Sequence, residues 1–106
     1  MFTLIEVDKI KQIADHYKLE HQLGKALEEL NELSSEIRDY KFDLHMEADD
    51  ITACRVVDEI ADVRIMLAQL EYLIGIEEEV RERIGLKADR QIKRIENEMN
   101  CVGYME

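Results

Sequence analysis

Not one proline interrupts this chain, and glycine occurs only four times in 106 residues. These two residue types are the strongest helix breakers, one by removing a backbone donor and one by conformational freedom. A chain with so few of them, and rich in Leu, Ile, Glu, Lys and Arg, is expected to be all-α. Its length suits one domain spanning 1–106, with a modest core and much apolar surface to cover.

Periodicity divides the chain into four helical segments. The first runs from about Thr3 to Tyr17 and carries Ile10, Ile13 and Ala14. The second runs from about Leu19 to Phe42. Its apolar stripe, Leu23, Ala26, Leu30, Leu33 and Ile37, has the 3-4-3-4 spacing of a single helix face turned inward. The stretch "DLHMEADD" has no period and reads as a loop, with Asp49 or Asp50 capping the next helix. The third segment runs from about Ile51 to Ile74 and stops at Gly75. Val56, Ile60, Val63, Leu67, Leu70 and Ile74 form one stripe, and Val57, Ala61, Ile65, Ala68 and Tyr72 fill the other side. A helix apolar on nearly all sides is buried on nearly all sides. Three short neighbours barely cover it, so a homo-oligomer that buries this helix between subunits is expected. A fourth segment follows Gly75 to about Met99, with Gly85 as a point of bending or division. The expected subunit is four-helix bundle-like, oligomerising through its central helices.

The formal net charge of −11 repels phosphate backbones and anionic lipid, so neither nucleic acid nor membrane is expected as a partner. Apolar runs are short and broken by charge, so no transmembrane span is expected. "MFTLIEV" is too short for a secretory signal. Cys54 and Cys101 lie far apart without CxxC company and read as free thiols of a reducing compartment, the cytoplasm.

The chemistry-bearing residues lie beside the stripes. On the second segment Gln22, Lys25, Glu29, Glu32 and Glu36 form one polar row at 3-4-3-4 spacing. On the third, "VVDEIADV" sets Glu59 and Asp62 one turn apart. Antiparallel packing brings Glu29, Glu32, Glu59 and Asp62 to face one another. Four hard oxygen donors without His or Cys suit Mg²⁺, or Mn²⁺ in its place, better than zinc. A di-iron site needs Glu-x-x-His, and none of His16, His21 and His45 has a Glu three residues earlier. On the fourth segment Arg83, Lys87, Arg90 and Arg94 make a basic row beside Ile84, Ala88, Ile92 and Ile95. Bound cations with nearby basic side chains are what a polyphosphate requires. The plain alternative is a solvated acidic shoulder, with the basic row paired to Glu79, Glu82 and Glu98.

"KALEELNEL" followed by "DEIADV" resembles the signature of the MazG-like all-α nucleoside triphosphate pyrophosphohydrolases: Glu-x-x-Glu, a variable gap, then Glu-x-x-Asp. The likeness spans Gln22 to about Leu70, and "GLKADRQIKRI" is similar to the family's basic C-terminal helix. The resemblance implies that Glu29, Glu32, Glu59 and Asp62 are the catalytic, Mg²⁺-holding residues. It implies that Lys25, Lys87 and Arg90 contact phosphates, to which the basic row adds Arg94. It further implies hydrolysis of the α–β phosphate bond of a nucleoside triphosphate, in a dimer or tetramer. Two alternatives accompany it: a pyrophosphohydrolase for another phosphorylated metabolite of the phosphoribosyl-ATP kind, and a non-enzymatic helical interaction protein.

Overall fold

A computed structural model describes residues 1–44 and 50–105, with side chains from 1–44 and 51–101. The expected loop caps, Asp49 and the side chain of Asp50, together with His45, lie outside the described residues. The chain is all-helical: α1 is Leu4–Asp43, α2 is Asp50–Ile74 and α3 is Glu77–Met105. Among the described residues no helix is long and apolar enough to cross a membrane. The chain divides into two compact units, Met1–Gly75 and Ile76–Glu106.

The first unit begins with a capping box that the sequence carries openly as "TLIE". The Thr3 hydroxyl accepts from the Glu6 N–H at 3.1 Å, and the Thr3 N–H donates to the Glu6 carboxylate at 2.8 Å. Two of the helix's orphan donors are satisfied this way. The Thr3 backbone and hydroxyl contacts also hold the Glu6 carboxyl below its usual pKa.

α1 is not one continuous helix. Lys18 sits at φ 68°, ψ 168°, a conformation that residues other than glycine rarely adopt and that costs on the order of 1–3 kcal/mol. The break falls where the first two expected segments meet. Contacts give the sense of each part. Phe2 lies against the Arg64 guanidinium, Lys11 lies over the Tyr72 ring, and the Tyr72 hydroxyl donates to Asp15 at 2.9 Å. Residue numbers rise together, so residues 4–17 run in the same sense as α2. By contrast Gln22 meets Gln69 and Asp43 meets Thr52, so residues 19–43 run antiparallel to α2. Lys18 is where the chain reverses.

The inward face of residues 19–43 differs from the expected one. Gln22, Ala26 and Glu29 are buried, and Leu33, Glu36 and Tyr40 are half-buried. That row is inward, while Leu23, Leu30 and Ile37 of the apolar stripe remain 43, 44 and 49 % exposed. The facing row of α2 is Thr52, Val56, Glu59, Val63, Met66 and Leu70, all buried or half-buried. Polar residues thus line part of the hairpin interface, and of the apolar stripe Ala26 and Leu33 face inward while Leu23, Leu30 and Ile37 face outward. Outward too are Ile60, Leu67 and Ile74 of α2, so the stripe expected to face one way is split, with Val56, Val63 and Leu70 turned inward. Gly75 ends α2 in the left-handed region at φ 78° and returns its N–H to the Glu71 carbonyl at 2.9 Å. A terminus of this kind favours glycine because it has no Cβ to clash.

The second unit is α3. Its acidic first turn, Glu77–Glu79, complements the positive end of the helix dipole. Gly85 neither divides nor ends it. From Arg81 to Cys101 every residue is exposed.

Candidate metal centre

Each side of the hairpin delivers acids to one place because each inward row carries one. Glu29 follows Gln22 and Ala26 by whole turns on α1, and Glu59 follows Thr52 and Val56 on α2. Asp62 lies one turn beyond Glu59. Glu29, Glu59 and Asp62 each present a carboxylate oxygen within 4.8 Å of the others. Glu29 is buried, Glu59 half-buried and Asp62 exposed, so the cluster opens from the hairpin interface to solvent.

Two of these acids have oxygens without a partner. Glu29 Oε2 and Glu59 Oε2 are buried and accept no hydrogen bond, and Glu36 Oε2 is in the same state. A buried carboxylate oxygen left unsatisfied is costly. The remaining oxygen of Glu29 is served by Lys25, whose ammonium lies 3.4 Å from it and 3.4 Å from Glu28. Bonds to Glu29 and then Glu28 raise the Lys25 pKa above its usual value, so this residue is a cation at neutral pH.

Glu59 is the most perturbed acid. Its carboxyl is pushed up to about 7, first by loss of solvent, then by the charges of Glu32, Glu29 and Asp62, and by a hydrogen bond with Glu29. Two carboxyls bond to each other only when one holds a proton. Without a cation the cluster therefore keeps a proton at Glu59 below a pH of about 7. A divalent ion removes the same repulsion by replacing that proton. The donor set is oxygen only, which suits a hard cation of the Mg²⁺ kind.

Not every expected residue takes the same place. Glu32 is exposed and stands outside the three-residue group, although its charge is felt at Glu59. Glu36 lies two turns beyond Glu29 on the inward row. Glu28 is exposed and paired with Lys25. Lys87, Arg90 and Arg94 are exposed on α3 in the second unit, where Arg94 donates to Gln91 at 3.5 Å.

Sequence reasoning passes over a second polar feature. Gln22 and Gln69 are 3 and 2 % exposed, and the Gln22 amide donates to the Gln69 carbonyl oxygen at 2.6 Å. Gln22 is visible in the sequence as a member of the polar row. Gln69 gives no sign there, because a lone Gln in an apolar segment has no spacing to mark it. No family model, curated protein or solved structure matches this chain.

Proposed function

We propose that this chain is a Mg²⁺-dependent nucleoside triphosphate pyrophosphohydrolase, converting (d)NTP and water to (d)NMP and pyrophosphate. One observation carries the reading. Acids from two helices converge within 4.8 Å, with buried oxygens on Glu29 and Glu59 that have no partner. Acids that were only a solvated shoulder would face water instead.

Glu29, Glu59 and Asp62 would hold the cation, with Glu32 completing the set from the next turn. Mg²⁺, when bound there, supplies charge neutralisation of the phosphates and an acidified water. Lys25 stands against Glu29 and offsets negative charge on the triphosphate. A carboxylate of the cluster, or Glu28 or Glu36, takes the proton of the attacking water as the α–β anhydride opens and pyrophosphate leaves. Lys87, Arg90 and Arg94 are proposed as further phosphate contacts, on the strength of their spacing as one basic row. The subunit is proposed to be four-helix bundle-like and to form a dimer or tetramer. The outward Leu23, Leu30 and Ile37 on α1, and Ile60, Leu67 and Ile74 on α2, support that assembly.

Pyrophosphate release across the standard nucleotides tests the activity. Asp62→Asn should lose at least about 100-fold in turnover, on the order of one lost ligand or second-sphere contact, with its helix content intact. Near-normal turnover in that variant would remove Asp62 from the site. The second reading, a helical interaction protein, is favoured by the exposed Ile84, Ile92 and Ile95 of α3. It requires that Mg²⁺ leave the melting temperature unchanged, because an ion with no site stabilises nothing.

A further inference from the structure

Beside Lys25 and Glu28, a groove of about 620 Å³ opens within the first unit, a size typical of small-ligand sites. We propose that this groove, on the nucleotide-hydrolase reading above, is the nucleobase subsite, and that Gln69 reads a ring carbonyl.

Lys25 supplies the link. It lines the groove and is also the ammonium that pairs with Glu29. A ligand with its phosphates at Lys25 and the acids therefore has its remainder within reach of the groove. There it meets a relay of polar groups. His21 Nδ1 lies 2.7 Å from Gln22 Oε1, and Gln22 Nε2 donates to Gln69 Oε1. With its oxygen committed to Gln22, the Gln69 amide has its nitrogen left over. Among the described residues that nitrogen reaches only the Met66 sulfur, at 3.7 Å. A thioether is a weak acceptor, and a carboxamide this deeply buried ordinarily finds an oxygen. A carbonyl on a planar ring supplies one.

Two backbone features serve the same end. Gly24 lines the groove, and a Cβ built on it would meet nothing within 4 Å. No neighbour in the chain demands glycine there, although glycine weakens a helix interior. The vacant space belongs to the groove. The strained Lys18 lies between Tyr17 and His21, whose rings stack at 4.8 Å with an interplanar angle of 17°. The reversal thus delivers an aromatic pair to the groove wall, a surface suited to a flat heterocycle.

Adenine is the common base without a ring carbonyl, so the proposal ranks it last. The test measures Kd for the Mg²⁺ complexes of non-hydrolysable α,β-imido analogues of UTP and ATP, and for inorganic tripolyphosphate. The wild type should bind the uridine analogue about tenfold more tightly than the adenosine analogue, the scale of one buried hydrogen bond. In Gln69→Leu the two analogues should fall within about twofold of each other, with tripolyphosphate affinity retained. Should that core variant fail to fold, Tyr17→Ala takes its place, since Tyr17 is half exposed. It should weaken both analogues about tenfold and leave tripolyphosphate alone. Tripolyphosphate binding as tightly as either nucleotide, or a wild type indifferent to the base, would overturn the subsite alone. If neither nucleotides nor tripolyphosphate bind, the hydrolase reading falls and the subsite with it.

Discussion

Proton and metal compete at Glu59, and that competition can be measured. Its carboxyl titrates at about 7 because it has lost solvent and stands near Glu32, Glu29 and Asp62. At pH 6 it is then roughly 90 % protonated, and at pH 8 roughly 10 %. Mg²⁺ requires the carboxylate, so binding at pH 6 should expel about 0.9 proton and binding at pH 8 about 0.1. The apparent Kd for Mg²⁺ should tighten about tenfold between those pH values, from this one group. Stability of the metal-free protein should move the other way. A raised folded-state pKa favours the fold below the unfolded value of 4.5, and that contribution is lost as pH rises through about 7. Titration calorimetry in two buffers of different ionisation enthalpy gives the proton count directly. Glu59→Gln should abolish the pH dependence, bind Mg²⁺ weakly at both pH values and melt higher than wild type in EDTA at pH 8. A Kd unchanged from pH 6 to pH 8, with no proton released at pH 6, would refute the account of Glu59.

The backbone and the exposed faces lead to three further outcomes. Lys18→Gly removes a side chain from φ 68° and should stabilise the chain by about 1 kcal/mol in a denaturant titration, since strain relief exceeds the added chain entropy; a loss of stability would deny the strain. Gly75→Ala places a Cβ at φ 78° and should cost about 1 kcal/mol, seen as a lowered Tm. Leu30→Lys puts a charge on the outward stripe of α1. Sedimentation should show the wild type as a dimer or tetramer at micromolar concentration and this variant dissociated; a monomeric wild type would end the proposal of assembly.

Much of the architecture is legible in the sequence. Without proline and with so few glycines, helices are nearly obligatory, and Gly75 marks the end of α2. The boundary between Tyr17 and Leu19 is expected from the periodicity, although no glycine marks it and nothing local announces the strained Lys18. The capping box at Thr3 and Glu6 is written in the residues themselves, yet the spacing of apolar positions does not reveal it. The two acidic pairs are plain, because carboxylates repeated at helical spacing beside an apolar stripe are a local pattern.

Tertiary structure alone decided which side of each helix faces the other. A 3.6-residue period shows that faces exist without ranking them, and α1 beyond Lys18 has two: the apolar stripe of Leu23, Ala26, Leu30, Leu33 and Ile37, and the polar row of Gln22, Lys25, Glu29, Glu32 and Glu36. Hydrophobicity favours the first as the inner one. The hairpin chose a face between them, burying Gln22, Ala26 and Glu29: Ala26 is small, and Gln22 finds Gln69 across the interface. That rotation draws Glu29 toward Glu59 and Asp62, leaves Glu32 on the rim, and leaves Leu23, Leu30 and Ile37 outward. Composition and spacing selected the acids; only packing, which acts between residues far apart in the chain, determined which of them meet.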